Sequence, residues 1–228
     1  MVRLLRSVLV LLIAALVIGP ACRETSTQPA RPRVINLPGP TLDGAMSLEA
    51  AIAARRSLRE YADQRLIWKE IGQLAWAAQG TTDPVRKFRA APSAGALYPI
   101  ELYFVTAGGL YHYLPDGHRM APLSGDDLRA ELQKAALDQE PVGAAPLAIV
   151  VAGVEERTAG KYGKRAERYL FIEAGHVGQN IALQAVALGM GCVTIGAFDD
   201  DKVAEVLSLP DDHRVLYILP VGHPREEA

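Results

Sequence analysis

Arg89-Ala90-Ala91-Pro92-Ser93-Ala94-Gly95-Ala96-Leu97-Tyr98-Pro99 runs without a break into Ile100-Glu101-Leu102-Tyr103-Phe104-Val105-Thr106. The first part is small, bent and uncharged after Arg89. Its prolines fix φ and withhold N–H groups, and Gly95 with its alanine neighbours lets backbone come close to whatever lies against it. The second part is the clearest strand in the chain, rich in β-branched and aromatic residues. A loop built this way, feeding a buried strand, can lay its main chain along a flat ligand. On composition alone the plainer reading, a tight turn between a helix and a strand, comes first.

Two distant stretches change that weighting. Arg55-Arg56-Ser57-Leu58-Arg59 places guanidiniums and a hydroxyl within five residues, which suits a phosphate because Arg forks match its oxygens and stay charged. A basic helix end, favourable to the helix dipole by itself, is the alternative. Gly189-Met190-Gly191-Cys192-Val193-Thr194-Ile195-Gly196-Ala197-Phe198 reads as a helix stop, a short strand and a loop. Together with Pro92-Ser93-Ala94-Gly95, and in this order, these stretches resemble the flavin motifs of the nitroreductase-like enzymes, from about Ser47 to Pro224. The version "APSAGALYPIELY" resembles the SagB/ThcOx-type branch, dehydrogenases that oxidise thiazolines and oxazolines to azoles.

The resemblance implies an α+β fold with a central mixed, mostly antiparallel sheet flanked by helices, in an intertwined homodimer holding FMN at the subunit interface. It implies that Arg55, Ser57 and Arg59 come from one subunit, and Pro92, Ser93 and Ala94 from the other, with Arg56 and Gly95 also among the cofactor-binding residues. Residues matching Arg55 and Ser57 hold the flavin phosphate; the one matching Arg59 lies by the pyrimidine edge. Ile195, Gly196 and Ala197 match the third flavin loop, where Gly196 or Ala197 offers a backbone N–H to flavin N5. Arg225, beyond the last strand, is a further candidate for the phosphate. Lys161 and Tyr162 match a Lys-Tyr pair assigned to proton transfer. Oxidising a C–H beside nitrogen needs a hydride acceptor on one side and a base on the other, although four cations among residues 157–165 also read as a solvated basic loop.

The chain has 228 residues, half of them apolar and 22% charged, with net charge -2. That is enough for one domain with a large core, and interspersed acids and bases give no electrostatic footprint for nucleic acid. Residues 1–21 read as a signal peptide: Arg3 and Arg6, then an apolar run from Val8 to Ile18 too short to span a bilayer. Gly19-Pro20-Ala21-Cys22 resembles a lipobox, making Cys22 the lipidation candidate; plain secretion with cleavage after Ala21 is the alternative. Export and a lipid anchor on an extracytoplasmic membrane face follow, with no other membrane contact. With Cys22 in the leader, Cys192 has no disulfide partner.

Residues 22–43 read as a flexible tether and 44–228 as the folded domain, ordered from about Leu42. Ser47 is an N-cap, and helices are predicted over 67–79, 126–136, 167–188 and 200–207. Residues 147–152 are predicted to be a strand buried on both faces, because the run is continuously apolar. His176 is expected in the core. The five histidines show no ligand spacing, so no metal is expected. Regular βαβ units and a dinucleotide fingerprint are lacking, which favours α+β. The function expected is an FMN-dependent oxidoreductase passing hydride to or from flavin N5, on a small-molecule or peptide substrate. The alternatives are a general NAD(P)H-dependent nitro or quinone reductase and a lipid-anchored, non-catalytic flavin- or ligand-binding protein.

Overall fold

The computed structural model describes residues 33–225; the leader, Cys22 and the first part of the tether lie outside them. In chain order the strands are β1 (Ile35–Asn36), β2 (Thr81–Asp83), β3 (Phe88–Arg89), β4 (Ile100–Thr106), β5 (Gly109–Leu114), β6 (Arg119–Ser124), β7 (Leu147–Gly153), β8 (Gly191–Cys192) and β9 (Arg214–Gly222). The helices are α1 (Leu48–Ala54), α2 (Trp68–Gln79), α3 (Arg129–Ala135), α4 (Glu140–Ala144), α5 (Glu156–Tyr162), α6 (Ala166–Ala187) and α7 (Asp200–Val206).

One sheet of seven strands runs β1-β6-β5-β4-β7-β9-β8, and β2 pairs only with β3. Its ladders are antiparallel, and a single parallel bridge joins Ser57 to Cys192. Side chains alternate across a strand, so β4 feeds two cores: Leu102 and Phe104 pack with α2 and α6, while Tyr103 and Val105 pack with α3, α4 and α7. Helices therefore cover both faces, which is why β7 is buried at every position. The fold is α+β, as the sequence implied.

Several local expectations give way. Order begins before Leu42: Ile35 and Asn36, inside the expected tether, pair with Met120 and Arg119, and Leu37 is buried. The strand β6 supplies this partner, and its Pro122 and polar residues hide the alternation. The basic stretch over 157–165 is not a loop; α5 and a turn of 3-10 helix occupy it. His176 is exposed rather than in the core, because it sits on the α6 face opposite Leu170, Ala174, Val177 and Ile181.

Candidate active site

The first motif is a strap laid along the sheet edge. Ser47 Oγ accepts from Ala50 N at 3.1 Å and starts α1; the helix ends at Ala54 and the chain turns extended at Arg55. Leu58 N then donates to Cys192 O at 3.0 Å. A Cβ on Gly191 would lie 2.8 Å from the Leu58 side chain, so only glycine lets the strap settle there. Tyr61 locks the strap from below, its hydroxyl donating to Leu58 O at 2.8 Å and Pro220 O at 3.0 Å. Burial pushes that phenol up. Burial likewise raises the Cys192 thiol to about 11, although Arg55 opposes the shift, so Cys192 is an inert wall and not a nucleophile.

Arg55 and Arg59 have no ion-pair partner among the described residues, whereas the Arg56 guanidinium donates to Ala53 O and Arg55 O and caps α1. Arg225 joins the strap, its N–H donating to Glu60 O at 3.4 Å. The third motif shares this edge. Ile195 exchanges backbone hydrogen bonds with Ile218 of β9, and Gln139 Nε2 holds Ala197 O at 2.7 Å. Among the described residues, the N–H groups of Gly196 and Ala197 meet no acceptor.

The second motif lies with the Lys-Tyr pair. Gly95 has φ +64, and a Cβ there would fall 2.8 Å from Lys161 Nζ and 2.9 Å from Tyr162 Oη. Residues 66 positions apart in sequence thus meet over the flat of the loop. Tyr162 packs edge-on against Tyr169, and Lys161 is exposed. Arg157, one helical turn earlier on α5, donates to Tyr98 O at 3.2 Å and pairs with Glu101. Glu101 also meets His112 Nε2 at 2.6 Å. Burial works against the Glu101 carboxylate, yet His112 and Arg157 hold it below its usual range. His176 Nδ1 approaches Pro92 O at 3.4 Å.

The structure therefore sorts the expected residues into two groups. One is Arg55, Arg56, Ser57, Arg59, Ile195, Gly196, Ala197 and Arg225; the other is Pro92, Ser93, Ala94, Gly95, Lys161 and Tyr162. Among the described residues no hydrogen bond or ion pair links the groups. A cavity of about 840 Å³ beside α1, α2 and α6 and an acidic one of about 620 Å³ beside α7 contain none of these residues; Arg56, Ser57, Arg59, Gly196 and Ala197 of one group and Pro92, Gly95 and Lys161 of the other are exposed. Thiol count and histidine spacing carry no signal for Arg157 or Glu101, whereas His176, expected in the core, stands beside Pro92 instead. Glu173 was findable: it interrupts the apolar face of α6 between Leu170 and Val177. Among the described residues no group of three or more His, Cys, Asp or Glu is placed to hold a metal ion.

The residues present fit a flavin. Unpaired arginines sit beside a hydroxyl, two free N–H groups crown the third loop, and a Cβ-free cradle at Gly95 faces Lys161 Nζ and Tyr162 Oη. Comparison with known proteins agrees. The nitroreductase family pattern matches residues 52–223. A nitroreductase-family protein of Methanocaldococcus jannaschii is 38% identical over 187 residues, 79% of this chain and 93% of its own length. The microcin B17-processing protein McbC of Escherichia coli is 29% identical over 156 residues, 64% of this chain and 57% of its own. The FMN reductase (NADPH) of Bacillus subtilis is 26% identical over 192 residues, 76% of this chain and 64% of its own. The crystal structure of a nitroreductase from Ralstonia eutropha superposes with a TM-score of 0.77 at 30% identity, covering 86% of this chain and 91% of that one.

Proposed function

The chain belongs to the nitroreductase family and is a flavin oxidoreductase, and we propose that it works with FMN in a homodimer, dehydrogenating an azoline-type heterocycle. When bound, the flavin supplies the hydride acceptor at N5. Arg55 and Ser57, with Arg225, would hold the phosphate; Gly196 or Ala197 would offer its free N–H to the flavin N5; Arg59 would favour negative charge on the reduced ring. A substrate C–H would give up its hydride, and Tyr162 as phenolate or Lys161 as free amine would take the accompanying proton from the neighbouring ring atom, so the heterocycle would lose two hydrogens and gain a double bond.

One observation carries this reading: Lys161 Nζ and Tyr162 Oη converge on the Cβ-free face of Gly95. A loop that is only a turn has no need to present a lysine Nζ and a tyrosine Oη over its glycine. The similarity to a protein named for processing microcin B17 supports the azoline branch. The similarity to an FMN reductase (NADPH) favours the second reading, a general NAD(P)H-dependent reductase that shares the fold and cofactor.

The test is the visible spectrum of residues 23–228, purified without and then with FMN, followed by turnover with a 2-substituted thiazoline or with NADPH and menadione. Flavin bands with thiazoline oxidation that Lys161→Ala and Tyr162→Phe abolish support the dehydrogenase. NADPH-menadione turnover that both variants retain supports the reductase. A chain that stays colourless in excess FMN sinks both and returns the non-catalytic reading. We further propose export and lipidation of Cys22, from the leader; a Cys22→Ala chain that still takes up labelled palmitate would exclude it.

A further inference from the structure

Glu173 is 2% exposed, in the middle of α6. Its carboxyl accepts from Gln79 Nε2 at 3.2 Å. Ser93 Oγ accepts from Tyr98 N at 2.9 Å. Tyr98 Oη accepts from Arg89 N at 3.1 Å, and the Arg89 guanidinium lies 4.7 Å from the centre of the Tyr98 ring while donating to Gln79 Oε1 at 3.4 Å. These contacts make a continuous line from Glu173 through Gln79, Arg89 and Tyr98 to Ser93, at the base of the loop that carries Gly95. Ser93 is consequently turned inward, and the loop offers its main chain outward.

Burial pushes the Glu173 carboxyl up, against Ser93, Gln79 and the Arg89 charge. A buried carboxyl is costly even when it is hydrogen-bonded, and an apolar residue would complete the α6 face between Leu170 and Val177. The acid is thus explained by what it holds, not by core stability. We propose that Glu173 is a positioning residue that acts through Gln79, Arg89 and Tyr98 to fix residues 92–98 in the conformation that sets Gly95 against Lys161 and Tyr162. Its effect on flavin rests on the FMN reading above; its effect on the loop does not.

The experiment compares hydrogen exchange of the FMN-free chain with FMN titration, in wild type, Glu173→Ala, Glu173→Gln and Ser93→Ala. In Glu173→Ala and Ser93→Ala the amides of residues 94–98 exchange about tenfold faster or more, with β7 unchanged, and FMN affinity falls about tenfold. Glu173→Gln keeps an acceptor for Gln79, so it stays within about threefold of wild type on both readouts. Ser93→Ala serves as the decisive variant if the emptied α6 site prevents Glu173→Ala from folding. Loop exchange within about twofold of wild type in Ser93→Ala, or a Glu173→Gln chain as loose as Glu173→Ala, overturns the proposal. If wild type itself binds no FMN, the flavin reading falls while the exchange comparison still decides the role of Glu173.

Discussion

Two residues on the strap edge make opposite predictions. Arg55 has no ion-pair partner among the described residues, so in the FMN reading its charge is available to the phosphate. A hydrogen bond to a charged group contributes about 1.5–3 kcal/mol, and Arg55→Ala is expected to weaken FMN about tenfold or more in a fluorescence titration, with little change in melting temperature. Arg56, already committed to the α1 carbonyls, should lose much less affinity as Arg56→Ala. Cys192 acts on stability alone. Its thiol stands at about 11 in the fold against an ordinary 9.0. Below pH 9 folded and unfolded chains both keep that proton; above it the unfolded chain releases it first, so the fold loses stability as pH climbs toward 11. Urea unfolding at pH 8 and pH 10.5 should show a loss on the order of 1–2 kcal/mol more in wild type than in Cys192→Ala.

At the scale of elements, the dehydrogenase reading turns on the meeting of the Gly95 loop with α5. In Gly95→Ala the left-handed backbone costs about 1–2 kcal/mol, and the new Cβ displaces the ends of two flexible side chains rather than the core. Melting should fall by a few degrees, while turnover falls about tenfold, more than FMN affinity does. Glu101 ties α5 to β4 through Arg157, and its carboxyl is held below its usual range. That contribution is present above the unfolded value near 4.5 and is lost as pH falls through the lower folded one. Glu101→Gln should therefore flatten the acid limb of a stability–pH curve. Sequence made β4, β7 and α6 legible because continuous or periodic apolar runs record burial directly. It concealed β1 and β6, where polar residues at a sheet edge leave no alternation. It also concealed α5, whose cations masked a helix closed by Gly163. The motifs named residues 92–95 and 161–162 but not the contact between them, which arises from β4–β7 pairing and α5 docking.

The whole molecule poses the remaining question, because one chain presents two partial sites with no described contact between them. It also leaves apolar surface uncovered: Leu48 is 61% exposed, Ile52 55%, Phe171 45% and Ile172 47%. In the homodimer reading, the strap of one copy faces the Gly95 loop of the other, and α1 and α6 bury these residues. The test is complementation. An Arg55→Ala homodimer has two sites lacking the phosphate arginine, and a Lys161→Ala homodimer has two lacking the proton-transfer lysine. In a mixed dimer built by a two-fold axis, one site collects both lesions and the other collects neither. Co-expression of the two inactive variants should then restore up to about a quarter of wild-type turnover, since half the dimers are mixed and half their sites intact. If Arg55 and Lys161 served one site within a single chain, every site would keep a lesion and mixing would restore nothing. Phe171→Asp separates assembly from chemistry: it should shift the chain to monomer on gel filtration and release FMN together, because neither surface group binds the whole flavin alone.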